Sequence, residues 1–173
     1  MIMPKGQQLL LPVNPVFIVA SLVLALALNL LPLGRVVWTP DWVMVLLVFW
    51  GIHQPQRVGL GVAFAMGLCI DIAQSALLGQ HALVYCGVMF GAQLAHRRLL
   101  WFGPLWQALQ LLPLFFAGHA VELALRVVAG GGTLPGLEGL AAPLLEAVIW
   151  PLASWVLLAP QRRPPDQDDN RPL

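Results

Sequence analysis

The sequence has few charged residues: Asp, Glu, Lys and Arg make up only 10% of its 173 residues, and the formal net charge is +1. A chain with so little positive charge lacks the basic surface that nucleic-acid binding requires, so we expect no nucleic-acid partner. The hydrophobic share is 59% and the mean hydropathy is +0.80. Because a soluble domain with so apolar a composition would aggregate, these values predict an integral membrane protein.

The sequence also has only two cysteines, Cys69 and Cys86, and both lie in apolar runs. Their spacing matches neither a zinc site nor a redox motif, and we expect both to be buried and reduced. Zinc-protease, serine-hydrolase and phosphate-loop motifs are absent, and the four histidines lack metal-ligand spacing. These absences predict a protein that is not an enzyme and that has no cofactor or metal.

Long apolar runs are what the sequence does contain, each near the length that a bilayer core of about 30 Å requires of a helix. We predict an all-α, polytopic membrane protein with about six transmembrane helices, of which the second and fourth are short. The runs are residues 15–33, 36–52, 58–78, 82–96, 105–127 and 137–159. We expect residues 1–159 to form one membrane domain and residues 160–173 to form a disordered tail.

Basic residues are distributed unevenly between the connections of this arrangement. Arg35 and Arg126 fall on one side, and a larger set falls on the other. The larger set is Lys5, Arg57, Arg97, Arg98, Arg162, Arg163 and Arg171. The positive-inside rule places that set in the cytoplasm together with both termini. Segment 36–52 is either a tilted span or a re-entrant one, and the charges do not distinguish the two.

Asp71 is a carboxylate inside the third apolar run, where an ionised group costs about 3 to 10 kcal/mol unless it has a partner. Small residues recur around it at four-residue spacing, which lets another helix backbone approach closely. The series is Gly59, Ala63, Gly67, Asp71, Ser75 and Gly79. Since the series drifts by about 40° per step around a helix, we expect Ala63, Gly67 and Asp71 to form the central contact. His81 adjoins the polar end of this series.

A second group of polar residues lies in the fifth and sixth runs. His119, Glu122 and Arg126 are spaced three and four residues apart and so share one helical face, where Glu122 can pair with Arg126. Glu146 lies near the middle of the sixth run, where an acid must be protonated or paired. Two interpretations stay open at this point: clamps that fix helix packing, or a proton or ion pathway.

Several stretches resemble the family of the rod shape-determining protein MreD of Gram-negative bacteria, and the resemblance is specific across roughly residues 38–98. The stretches are Pro40-Asp41-Trp42, Trp50 to Pro55, Gly67-Leu68-x-x-Asp71, Leu78-Gly79-Gln80-His81-Ala82-Leu83 and His96-Arg97-Arg98. The individual matches to the family motif are Pro40, Asp41, Gly67, Asp71, Gly79 and His81.

The resemblance implies a non-catalytic inner-membrane subunit of the cell-elongation complex, which supports rod shape and lateral peptidoglycan synthesis. The implied partners are MreC and, through it, the MreB filament, RodA and a class B penicillin-binding transpeptidase, together with membrane lipid. We expect the small-residue face around Asp71 to meet a partner's transmembrane helix, with the single span of MreC as the first candidate. The family is also similar in fold to vitamin-binding transporter components, so the alternative is a membrane subunit of a small-molecule transporter.

Overall fold

The computed structural model describes residues 13–31, 39–129 and 137–161, and the regular elements in these ranges are all helical. The α-helices are α1 (Pro15–Leu30), α2 (Trp42–His53), α3 (Leu60–Ala73), α4 (Gln80–Leu99), α5 (Pro104–Val128) and α6 (Ala141–Leu158). Short 3-10 turns, Leu137–Leu140 and Ala159–Gln161, flank α6. In these ranges the predicted all-α fold and its six helices are confirmed, while the prediction that about six helices cross a membrane stays a prediction. The structure describes only the first two residues of the predicted tail 160–173, and both belong to the 3-10 turn Ala159–Gln161.

Local sequence signals fix several helix starts. The side chains of Asn14 and Asp41 cap α1 and α2 by accepting hydrogen bonds from the first-turn backbone. Pro15 and Pro104 occupy the first turns of α1 and α5, where a missing N–H leaves no intrahelical bond unmade. These helices therefore begin where residue chemistry favours a beginning.

Three helix lengths differ clearly from those that the sequence predicts, and the first is that of α2, which begins at Trp42 and not at residue 36. The third run continues to residue 78, but α3 ends at Ala73. Beyond it Ser75 and Gly79 have left-handed backbone conformations, with φ of 52° and 95°, which a continuing helix does not allow. Ser75 and Gly79 therefore lie outside the helix that was expected to carry the whole small-residue series, while Gly59 precedes its first residue.

The apolar run 82–96 predicts a short fourth helix, but the helix in the structure is longer than that run. α4 has 20 residues because polar side chains extend it past the apolar run at both ends. Gln80 and His81 form its first turn, while Arg97 and Arg98 lie in its last turn. The length of the apolar run therefore underestimated the length of α4, because basic residues stabilise the C-terminal turn of a helix.

α2 is the innermost helix. Nine of its 12 residues are buried, and it packs against α1, α4 and α6. At 1.5 Å per residue, these 12 residues cover about 18 Å, which is less than the thickness of a bilayer core. A helix enclosed in this way can be short because the surrounding protein, not lipid, covers it.

Helices α3 and α4 approach each other closely at Gly67. A Cβ atom on Gly67 would overlap the backbone of Ala82 and would lie 2.7 Å from the carbonyl carbon of His81. Ala63, Gly67 and Asp71 are all buried. The small-residue face therefore packs against α4 of the same chain and is not open to a partner's helix, because the short turn after α3 returns the chain directly onto it.

Two tryptophans join neighbouring helices away from Asp71. Trp50 Nε1 donates to Ser21 Oγ at 2.9 Å, which connects α2 to α1. Trp150 Nε1 donates to Gln107 Oε1 at 3.1 Å, which connects α6 to α5. Both indoles are fully buried, so each N–H has the partner that burial requires.

The outer surface of the helices is strongly apolar. Large hydrophobic side chains are exposed on α1 and on α3 to α6, as at Val19, Phe64, Leu94, Leu109 and Val148. Two helical stretches, Pro104–Val128 and Ala141–Gln161, are long and apolar enough to cross a membrane, and α1, α2 and α3 are apolar but shorter. Exposed apolar area on this scale indicates contact with lipid or with another protein.

The expectation that both cysteines are buried is wrong. Cys69 is exposed and Cys86 is half-buried. Both lie in apolar helices, but an apolar run does not show which side of the helix faces the protein interior.

Gly67→Ala is expected to destabilise the protein by about 1–3 kcal/mol, because the added methyl group cannot fit against the α4 backbone unless a helix moves. The matched control is Gly61→Ala on the same helix, where a Cβ atom meets nothing within 4 Å. Alanine there should leave stability unchanged or raise it by up to about 1 kcal/mol. Thermal unfolding in detergent measures both variants, and equal unfolding temperatures would contradict the packing described at Gly67.

Candidate functional site

Polar side chains collect at one end of the helices, where they form a single set of contacts that we call the polar network. They come from the C-terminal parts of α1, α3 and α5 and from the N-terminal parts of α2, α4 and α6. The members are Asn29, Asp41, Asp71, His81, Tyr85, His119, Glu122, Arg126 and Glu146. Since these ends meet, successive helices run in alternating directions.

Asp71 caps the start of α4 from outside that helix. Its Oδ2 accepts a hydrogen bond from the backbone N–H of Gly79 at 2.8 Å, and its Oδ1 accepts one from the backbone N–H of His81 at 2.9 Å. Oδ1 also lies 2.7 Å from Nδ1 of the His81 ring. A helix N-terminus presents N–H groups without intrahelical partners and favours negative charge. The carboxylate of Asp71 is therefore stabilised within an apolar helix by the helix that follows it.

Asp41 caps the start of α2. Its Oδ1 accepts hydrogen bonds from the backbone N–H of Met44 at 3.0 Å and from the Asn29 side-chain amide at 2.7 Å. Its Oδ2 accepts one from the Tyr85 hydroxyl at 2.6 Å, while Asn29 accepts one from the backbone N–H of Trp42 at 2.9 Å. This carboxylate therefore joins α1, α2 and α4 at one point.

Two histidines and two glutamates connect the two caps across α4, α5 and α6. His81 Nε2 lies 3.5 Å from Glu122 Oε1, and His119 Nδ1 lies 3.6 Å from Glu122 Oε2. His119 Nε2 lies 2.8 Å from Glu146 Oε1, which also accepts a hydrogen bond from the backbone N–H of Asp41 at 3.0 Å. Carboxylates and imidazoles thus alternate from α3 through to α6, and the path closes on α2.

Arg126 is the point at which the polar network reaches the surface. Its guanidinium pairs with Glu122, as the i, i+4 spacing predicts. The Arg126 side chain is 52% exposed, whereas that of Glu122 is 13% exposed. Glu122 therefore contacts the guanidinium of Arg126 near the surface and the imidazoles of His81 and His119 inside the protein.

The structure joins two groups of residues that the sequence left separate. Asp71 and His81 belong to the small-residue series, while His119, Glu122 and Glu146 belong to the fifth and sixth runs. The contact between His81 and Glu122 connects them. Of the other residues singled out, Gly79 contributes its backbone N–H, whereas Pro40 and Ser75 contribute no side-chain hydrogen bond in the described part of the chain.

Sequence reasoning did not identify Asn29 and Tyr85. Tyr85 is the one tyrosine of the chain, and each of the two is an isolated polar group in an apolar run. They bond to Asp41 from 12 and 44 residues away. No spacing rule connects residues on different helices at such separations, so only their isolation could have drawn attention to them.

Two kinds of site are not formed by the described residues of the polar network: a metal site, and a serine or cysteine nucleophile bonded to a histidine. Within residues 13–31, 39–129 and 137–161, no group of three or more His, Cys, Asp or Glu could hold a metal ion. No hydrogen bond in these ranges joins His81 or His119 to a serine or cysteine, so a hydrolase nucleophile with its base is not formed.

The arrangement does not form a path through the protein either. The titratable residues that are buried in the described ranges are Asp71, His81, Tyr85 and Glu146, and all four belong to the polar network at one end. A proton relay across a membrane uses such groups at successive depths. The geometry therefore favours the packing interpretation over the proton or ion pathway.

Comparison with known proteins places the chain in a family. Residues 7–129 match the family described as rod shape-determining protein MreD. The chain belongs to the MreD family. A rod shape-determining protein MreD from Haemophilus influenzae (strain ATCC 51907 / DSM 11121 / KW20 / Rd) is 33% identical over 75 residues, which cover 42% of this chain and 46% of that protein. The match thus spans about half the length of that relative. No solved structure matches the chain.

Membership of the MreD family supports a role in determining rod shape. Of the polar network, only Glu146 lies outside the matched residues 7–129. The network is therefore almost entirely a feature of the region that carries the family identity.

Asp71→Asn is expected to destabilise this MreD protein by about 1–3 kcal/mol, because the amide group that replaces one oxygen cannot accept a hydrogen bond from α4. Hydrogen exchange should become faster at the backbone amides of Gly79 and His81 in particular. The control is Gln74→Ala, one turn further along and exposed. Unchanged protection of these two amides in Asp71→Asn would show that Asp71 does not cap α4.

A double-mutant cycle with Tyr85→Phe and Asp41→Asn tests the bond between α4 and α2. Because a hydrogen bond to a charged acceptor contributes about 1.5–3 kcal/mol, we expect a coupling energy in that range. Unfolding free energies of the two single variants and the double variant give the coupling. Additive effects of the two substitutions would mean that the hydroxyl and the carboxylate do not interact.

Proposed function

We propose that this MreD chain is a multi-pass protein of the bacterial inner membrane, with about six crossings and with both termini in the cytoplasm. The alternating helix directions support this arrangement, as does the apolar outer surface of the helices. Arg57, Arg97 and Arg98 lie at the end opposite to the polar network. By the positive-inside rule, the arginine end faces the cytoplasm and the polar network lies in the outer half of the membrane.

Within that membrane the chain acts as a non-catalytic subunit of the cell-elongation complex. It supports rod shape and lateral peptidoglycan synthesis by binding MreC and, through MreC, the MreB filament, RodA and a class B penicillin-binding transpeptidase. The observation that carries this mechanism is that the polar network draws on all six helices and bonds them to one another. Polar groups used in this way hold a scaffold in one arrangement.

The proposed scaffold binds its partner through a surface other than the small-residue face. Gly67 and Asp71 are covered by α4, so substitutions there act on partner binding by changing how the helices are arranged. A partner's transmembrane helix is expected to pack on the exposed apolar surface instead. Its affinity then depends on the polar network, because that network fixes the positions of the outer helix ends.

The alternative, a membrane subunit of a small-molecule transporter, has less support. A solute site would need polar groups that face a cavity and are free to bind. Both oxygens of Asp41 and both oxygens of Asp71 already accept hydrogen bonds from the chain itself. These two carboxylates are therefore occupied, whereas Oε2 of Glu146 is buried and accepts no hydrogen bond from the described part of the chain.

Copurification from the native host in mild detergent tests the proposed role, with mass spectrometry of bound proteins and small molecules. Wild type should recover MreC and the wall synthases. Asp71→Leu should recover them at least about 10-fold less well, which corresponds to a loss of 1.4 kcal/mol in binding. The variant should also fail to restore rod shape to cells that lack the chain.

Gln74→Ala is the matched control for this experiment, since it changes an exposed neighbour of Asp71 and should preserve both rod shape and recovery of MreC. Normal shape and normal recovery of MreC with Asp71→Leu would remove the polar network from the mechanism. Recovery of a vitamin or an ATPase module in place of MreC would make the chain a transporter subunit.

A further inference from the structure

An open cavity of about 410 Å³ lies where α4 leads into α5, lined by Arg97, Arg98, Trp101 and Phe102. We propose that this cavity binds the phosphate headgroup of an anionic phospholipid. The proposal rests on the membrane placement proposed above, but it does not depend on the binding of MreC.

The two arginines of this cavity have no acidic partner in the described part of the chain. Both are exposed, and neither forms an ion pair there. Each carboxylate whose side chain the structure describes belongs to the polar network at the opposite end: Asp41, Asp71, Glu122 and Glu146. Guanidinium groups bind phosphate oxygens through paired N–H donors, so these arginines offer what an anionic headgroup requires.

Arg57 shows the difference between a bonded arginine and a free one at the same end of the helices. Its Nη1 donates to the backbone carbonyl of Val13 at 2.7 Å. That bond uses Arg57 to connect two parts of the chain. Arg97 and Arg98 form no such bond in the described ranges, and both are exposed.

The surroundings of the cavity favour a lipid over a free anion. Trp101 is 88% exposed and Leu105 is 75% exposed, and Leu94, Leu100 and Trp106 in the same stretch of chain are exposed as well. Tryptophan is enriched at headgroup level in membranes. A free phosphate would gain nothing from these side chains, whereas a phospholipid would place its acyl chains along them.

The backbone that holds the cavity is fixed in place. The N–H of Phe102 donates to the carbonyl of Leu99 at 3.0 Å. The buried side chain of Gln107 donates to the carbonyls of Leu99 and Phe102 at 3.1 and 2.9 Å. Since Gln107 of α5 bonds to this turn, the backbone that carries the arginines and aromatics is positioned before any ligand binds.

Native mass spectrometry of the purified full chain, titrated with phosphatidylglycerol or with phosphatidylethanolamine, tests this site. Wild type should bind phosphatidylglycerol on the order of 10-fold more tightly than phosphatidylethanolamine, as two basic groups near a membrane surface allow. The double variant Arg97→Gln/Arg98→Gln should lose that preference. Arg162→Gln/Arg163→Gln is the matched control, since it removes the same charge from the same predicted side and should keep the preference.

Equal phosphatidylglycerol affinity in wild type and in Arg97→Gln/Arg98→Gln would overturn the proposed site. Displacement of the lipid by an equal concentration of inorganic phosphate would overturn it too, by assigning the cavity to a free anion. Recovery of MreC, measured on the same preparations, separates the two proposals. Absence of the lipid preference with MreC still bound refutes the lipid site alone, whereas loss of MreC with the preference intact refutes the proposed function alone.

Discussion

A helix that begins in an apolar environment leaves backbone N–H groups without hydrogen-bond acceptors. In this protein the carboxylate of Asp71 is the acceptor for the N–H groups at the start of α4. The carboxylate accepts from Gly79 and His81 at the start of α4. It reaches them because Gly67, one turn earlier, has no side chain to separate α3 from α4. The charge and the close packing depend on each other, since the carboxylate needs the helix start and the helix start needs a nearby acceptor.

The other residues of the polar network cap or connect the remaining helices. Asp41 caps α2 as Asp71 caps α4, and the imidazoles of His81 and His119 connect the two caps through Glu122 and Glu146. Polar groups in such surroundings are costly when unpaired, so each contact restricts where the helix that carries it can lie. The polar network therefore limits the arrangements that the six helices can adopt.

The two ends of the protein differ in whether their charged side chains are bonded within the described chain. At one end the described carboxylates are buried or half-buried and bonded to the chain itself. At the other end Arg97 and Arg98 are exposed beside Trp101, without an acidic partner in the described ranges. The charged side chains of the first end are thus used within the protein, whereas Arg97 and Arg98 at the second end are exposed. The MreD family assignment does not by itself distinguish these ends, which differ only once the helices are assembled.

The sequence by itself determined the apolar helices, their number, the need of Asp71 for a partner and the pairing of Glu122 with Arg126, because hydropathy and helical spacing act within one segment. Hydropathy misjudged the ends of α3 and α4, since a left-handed turn and polar helix starts carry no hydropathic signal. Only the tertiary structure decided that Asp71 caps α4 and that Tyr85 reaches Asp41 across 44 residues. The physical reason is that a polar group in an apolar run requires a partner, while the identity of that partner depends on which helices come to lie side by side.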